Sequence, residues 1–256
     1  MATTAELYQE LIERLKQTTL LASCANVLSW DEQTYLPPGG AELRSNQLGL
    51  LAGMIHDRAT QPRVGELLAE LSDRKDLGEA DSPAVANVRE ARRHYERAAK
   101  LPKALVEELS RVTSLGQQAW VKARKESNFA QFLPWLEKIV SLKRQEAQAV
   151  GGGKGSPYDA LLDEYEPGMT VGDVQRVFTP LREALVQLVA AIADSSKKPD
   201  ERILHRRYPI DAQRAFATAA AAKLGFDFER GRLDVTAHPF CNGIGPGDCL
   251  LTTRYN

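Results

Sequence analysis

The sequence predicts a mainly α, multi-helix protein with a small antiparallel β segment at its C-terminal end. Three observations predict it. Apolar residues recur at helical spacing from Leu7 to Leu224, helix-capping signals precede several of those runs, and only after Leu233 does the pattern change to strand-formers around glycines. At 256 residues, 43% hydrophobic and 26% charged, the chain has ordinary globular composition and length enough for a substantial core. No apolar run approaches the roughly 20 residues needed to span a bilayer, so no membrane partner is expected.

The first helix is expected from about Ala5 to Ser29. Thr3 and Glu6 form a capping box, and Leu7, Leu11, Leu15, Ala22 and Ala25 recur on one face. Pro37-Pro38-Gly39-Gly40 cannot continue it, because proline lacks an amide hydrogen and restricts the residue before it. A second helix carries Leu43, Gln47, Leu50, Leu51 and Met54 until Pro62 interrupts it, and a polar connection covers Asp73 to Asp81.

Ser82-Pro83 then starts a helix bearing Arg89, Glu90, Arg92, Arg93, His94, Glu96, Arg97 and Lys100. With a net charge of −1 and glutamates interspersed, this run reads as a solvated face and not as a nucleic-acid site. Leu101-Pro102 opens another helix to about Lys125. Asn128 to Gln131 resembles a capping box for the next, which carries Trp135, Leu136, Ile139, Val140 and Leu142. Trp120, Phe129, Phe132 and Trp135 read as core residues in preference to a ligand groove.

Glycines at 151–153 mark a joint over residues 151–155 between a helical segment, 1–150, and a second one, 156–225. Ser156 to Gly168 reads as a short capped helix closed by a Pro-Gly turn, with Asp159, Asp163, Glu164 and Glu166 facing solvent. Thr170 and Asp173 cap an apolar helix that Pro180 should kink or divide. Asp211 is expected to cap the helix from Ala212 to Leu224, with Gly225 as its left-handed stop.

In the tail, 233–256, the expected shape is an antiparallel pair of Leu233 to Phe240 against Cys249 to Tyr255, joined by a turn at Gly243 to Gly247. Pro239, with no amide hydrogen to give a central ladder, places its strand at an edge or at a bulge. Cys24, Cys241 and Cys249 are an odd, sparse set that argues against a disulfide framework and fits a reducing compartment. The acidic, amphipathic N-terminus is unlike a signal peptide, so the cytoplasm is the expected location.

Several of these residues resemble the carboxypeptidase Taq family of zinc metallocarboxypeptidases. His238-Pro239-Phe240 is similar to the family's HPF motif, and Asp248 to Thr252 to its D-x-R-x-T segment. Leu28 to Asp31 with Tyr35 and Pro37 to Gly40, and Tyr158 to Met169, resemble its N-terminal half. The resemblance implies a helical, zincin-like metallocarboxypeptidase fold and metal-dependent release of C-terminal amino acids from peptides. It also implies a substrate groove bordered by His238, Pro239, Phe240, Asp248, Leu250 and Thr252, and often a homodimer.

Two departures shape the expected activity. The family's H-E-x-x-H helix provides two imidazoles for zinc and a glutamate to take a proton from bound water. Here the four histidines are followed by Asp57, Tyr95, Arg206 and Pro239, so the motif is absent. No catalytic or metal-ligating residue is therefore assigned, and no zinc is expected on this chain alone. The expectation is a single truncated domain, 1–256, that is inactive by itself. The alternative is a non-catalytic peptide-binding or dimerisation module that forms a heterodimer with a full-length relative. In addition, the central arginine of D-x-R-x-T is Leu250, which cannot make the bidentate carboxylate contact of a guanidinium. Arg254 lies four residues further, about 13 Å along a strand.

Overall fold

The computed structural model describes residues 2–151 and 155–255. They fall into two compact units: one holds the chain up to Val150 and again Phe226–Arg254, the other the segment from Gly151 to Gly225. Gly152 and Gly153 of the expected joint, with Lys154, lie outside the described residues.

In the first unit, α1 spans Thr4–Thr34 behind the Thr3/Glu6 capping box, five residues longer than expected at its C-terminal end. Nothing from Trp30 to Thr34 opposes a helix, and the stop comes only as the chain approaches Pro37. A single 3₁₀ turn at Pro38–Gly40 leads into α2, Ala41–Ala59.

Helix α3, Pro62–Ser72, corrects the sequence reading, which takes Pro62 only as an interruption. Proline breaks a helix interior but suits its first turn, where the missing amide has no intrahelical partner. Pro62 therefore opens a helix instead of merely closing one. Val64, Leu67, Leu68 and Leu71 of α3 form the main core with Leu7 and Leu11 of α1 and Val88 of α4, Pro83–Ala98.

Helix α5, Lys103–Lys125, packs along α2. The close approach depends on small residues: a Cβ at Gly49 would lie 3.3 Å from the Glu107 carbonyl oxygen. A second cluster joins Leu105 and Val112 to Leu142 of α6, Leu133–Gly151, with Trp135 and Ile139 against it. The expected Asn128 cap does not form. Residues Phe129–Gln131 make a 3₁₀ turn, and the Gln131 amide donates to Glu126 at 2.6 Å instead of reaching back to a cap.

The basic face of α4 is laced with ion pairs, Arg89 to Glu90, Arg92 to Glu96 and Arg97 to the buried Glu146 of α6. Its positive charge is locally matched, as interspersed glutamates suggest.

In the second unit, α7 is Pro157–Leu162, α8 is Val171–Asp194 and α9 is Ile210–Lys223. Capping boxes form at Ser156/Asp159 and Thr170/Asp173. The acids between them serve the backbone: Asp159 also accepts from the Val171 amide at 2.7 Å, and Asp163 from the Gly168 amide at 3.0 Å. Pro180 does not divide α8, since losing one amide bond leaves the flanking turns intact. Asp211 sits inside the first turn of α9, after the extended Pro209, where its charge complements the helix dipole. Gly225 has φ +94° and ends α9 as expected.

The C-terminal sheet has three strands, β1 Gly231–Val235, β2 Cys241–Gly245 and β3 Asp248–Thr253, in the order β1-β3-β2. The expected antiparallel pair needs correcting. Strand β3 pairs parallel with β1, and its antiparallel partner is β2, part of which the sequence reading assigns to the turn. Leu233 to Phe240 is not one strand. It stops at Val235, ahead of Pro239, and residues 236–240 cross the end of the sheet before the chain returns as β2.

Candidate substrate groove

The sheet is fastened to the C-terminal part of α1 by side chains that reach backbone groups. The Thr236 hydroxyl donates to the Gln33 carbonyl at 2.7 Å, and the Asn242 amide to the Asn26 carbonyl at 3.1 Å. Between them, the Tyr35 hydroxyl donates to buried Asp234 at 2.7 Å, while Arg232 makes a two-pronged contact with the same carboxylate at 2.6 and 2.8 Å. Burial pushes the Asp234 carboxyl upward, but the bonds from Arg232 and Tyr35 outweigh it and hold it below the usual range.

Within the sheet, Thr252 grips the HPF segment from both sides. The Phe240 amide donates to the Thr252 hydroxyl at 2.7 Å, that hydroxyl lies 2.7 Å from the Phe240 carbonyl, and the Thr252 amide donates to the same carbonyl at 2.9 Å. This fixes where His238 goes. Its ring lies edge-on to Trp120, centroids 6.1 Å apart, at the border of a cavity of about 370 Å³ lined also by Thr113, Gly116, Gln117, Phe132 and Ile139.

That cavity revises the reading of the aromatics. Trp135 packs against the second core cluster, but Trp120 and Phe132 line the pocket and Phe129 is exposed. Helical spacing cannot separate the two roles, because the pocket exists only where His238, in the crossover of residues 236–240, meets α5. Gly116 deepens it: a Cβ there would stand 3.1 Å from the Ile139 methyl.

Of the six border residues expected from sequence, the structure gathers His238, Pro239, Phe240 and Thr252. Asp248 is exposed at the tight turn between β2 and β3, and Leu250 is buried in the sheet at 6% exposure. Leu250 stands beside Arg232 in the parallel register, and the Arg232 guanidinium lies 5.1 Å over the Trp30 ring. Sequence reasoning passes over Arg232, Asp234 and Glu32. An R-x-D pair in a short strand is the available signal for the first two, since residues two apart share a strand face.

Glu32 is buried on α1 and accepts from the Ser114 hydroxyl of α5, with Arg44 nearby. Burial pushes its carboxyl above the usual range; the Ser114 bond and the Arg44 charge oppose this without cancelling it. A raised acid stabilises the fold fully below its unfolded-state pKa and loses that contribution as pH rises through the folded value. Glu32→Gln is therefore expected to raise stability at pH 7 by on the order of 1 kcal/mol, with the gain vanishing in acid, where Glu32 is itself neutral. Thermal melts of both forms across pH check this; an equal gain at every pH would count against it.

The whole of this construction lies within a match to known proteins. Residues 10–256 match the model of the carboxypeptidase Taq (M32) metallopeptidase family. The chain belongs to that family. It is 42% identical to thermostable carboxypeptidase 1 of Thermus thermophilus, over 97% of this chain and 50% of that protein, and 34% identical to carboxypeptidase 1 of Bacillus subtilis, over 97% and 49%. Among solved structures, BsuCP superposes with a TM-score of 0.91 at 33% identity, and the M32 carboxypeptidase of Deinococcus radiodurans with 0.79 at 36%; each covers 98% of this chain and half of the other. The chain thus spans about half the length of the curated M32 relatives it matches.

The M32 family is zinc-dependent, and the residues at hand can be tested against that need. Among the described residues, no group of three or more His, Cys, Asp or Glu is placed to hold a metal ion. His238 borders a pocket with no other His, Cys, Asp or Glu in its lining, while Cys241 and Cys249 form a pair without a third ligand among the described residues. This donor set does not fit a zinc site, for which three or four ligands must converge.

Proposed function

We propose that this chain builds one wall of the peptide groove of an M32 metal-dependent carboxypeptidase and does not hydrolyse peptides by itself. The observation that supports this best is the HPF segment, held by Thr252 so that His238 borders a pocket of Trp120, Phe132 and Ile139, in a sequence without H-E-x-x-H. Such a surface offers an extended peptide an apolar recess and an imidazole for hydrogen bonding. It offers nothing that would lower the pKa of a water or polarise a scissile carbonyl. Cleavage is assigned to the part of the relatives' length that this chain does not span, and peptide C-termini are the substrate class.

A full-length M32 relative is the partner class tested alongside this reading. No helix among the described residues is long and apolar enough to cross a membrane, and the sparse cysteines support a reducing, cytoplasmic setting.

The pure 256-residue chain is expected to bind zinc substoichiometrically and to release no C-terminal amino acids from peptides, while co-migrating with an intact family member on size exclusion. Stoichiometric zinc with robust peptide trimming would overturn the assignment. Two independent chromatographic peaks would remove the pairing with a relative.

A further inference from the structure

The outer face of the sheet carries a feature that the groove does not use. Cys241 on β2 and Cys249 on β3 have their sulfurs 3.7 Å apart, although neither stands directly opposite the other: Cys241 pairs with Leu251, and Cys249 with Gly243. The residue facing Cys249 has no side chain, and a Cβ at Gly243 would meet nothing within 4 Å. That open space lets Cys241 lean diagonally toward Cys249. A register irregularity between Gly243 and Gly245, on the turn side of the pair, adds slack to the neighbouring part of β2. Cys241 is exposed and Cys249 half-buried, on the face opposite the buried Leu250 and Thr252.

We propose that Cys241 and Cys249 form a reversible thiol–disulfide site that, when oxidised, staples β2 to β3 directly behind the HPF segment. The oxidant class is a low-molecular-weight disulfide. The exposed Cys241, as thiolate, attacks one sulfur of the small disulfide, forming a mixed disulfide and expelling one small thiolate. The Cys249 thiolate then attacks the Cys241 sulfur, forming the protein disulfide and expelling the second small thiolate. Two protein thiols have lost two electrons, the small disulfide has gained them, and the two protons go to the departing thiolates. Closing the bond needs the sulfurs to move from 3.7 Å to about 2.05 Å, a shift that the bulged, glycine-bearing β2 strand can absorb.

The Cys249 thiol is pushed up by its contact with Cys241, by burial and by the Asp248 charge, and Cys241 is the more exposed of the two. Cys241 is therefore the entry point and Cys249 the resolving partner. Because Cys241 follows Phe240 directly, the staple ties the end of the HPF crossover to the central strand. A transient disulfide of this kind is compatible with a reducing compartment.

The experiment uses the full chain with oxidised glutathione at mildly alkaline pH. In the Cys24→Ser variant, which removes the separate exposed thiol, titration of the denatured product is expected to fall from two thiols to none, with an intact mass lower by two hydrogens and a peptide joining Cys241 to Cys249. Cys241→Ser should abolish the loss of the pair's thiols, and circular dichroism verifies that this variant is folded. Amide exchange over residues 236–253 should slow on oxidation and recover with a reductant. Stable glutathione adducts on both cysteines, or crosslinked dimers in place of the internal bond, would overturn the site, and unchanged exchange would overturn its bracing role.

Discussion

Replacing Leu67 by alanine lowers the unfolding free energy by about 3–5 kcal/mol. Leu67 is fully buried on α3, between Leu7 and Leu11 of α1 and Val88 of α4. The substitution removes the transfer energy of three carbons and leaves a cavity that three separate helices cannot collapse into without losing contacts elsewhere. Leu67→Met, which roughly conserves volume, should cost under about 1.5 kcal/mol. Denaturant melts of the two variants separate the cases; equal, small losses would show that α3 does not hold this core together.

Thr252→Val tests the grip on the HPF segment. Valine keeps the branched shape but leaves the Phe240 amide without the oxygen it donates to at 2.7 Å. A part-buried donor stripped of its partner costs about 1–3 kcal/mol. The second consequence is local: with Phe240 released, the already exposed His238 should leave the edge of Trp120 and change its reactivity with diethylpyrocarbonate, while His56, His94 and His205 serve as internal references. Thr252→Ser retains the hydroxyl and should restore both readouts. Unchanged stability with unchanged His238 reactivity would show that the hydroxyl does not position the segment.

Much of the helical framework was legible in the sequence because its signals are local. A capping box needs only four residues, so Thr3/Glu6, Ser156/Asp159 and Thr170/Asp173 announce their helices, and Gly225 announces a stop. Where one residue type serves two local roles, the reading failed. Pro62 opens α3 although proline more often closes a helix, and Asp211 sits within a first turn although aspartate more often caps it.

The candidate groove divides along the same line. The residue types that resemble the M32 motifs, His238-Pro239-Phe240 and Asp248 to Thr252, can be read from the chain because each motif is contiguous. Strand pairing cannot: β3 takes a parallel partner on one edge and an antiparallel one on the other, a choice set by which edges remain after the crossover at residues 236–240.

The sequence by itself determined the helical class, the family resemblance and the lack of an H-E-x-x-H motif, all of which depend on residues near one another in the chain. Tertiary structure alone decided that Trp120 and His238 meet at a pocket, that Thr252 clasps Phe240, that Arg232 and Tyr35 share Asp234, and that the Cys241 and Cys249 sulfurs approach across an empty glycine position. All four join residues on different segments of the fold. Such contacts are fixed by packing and strand pairing, whose energies come from neighbours that no local pattern encodes.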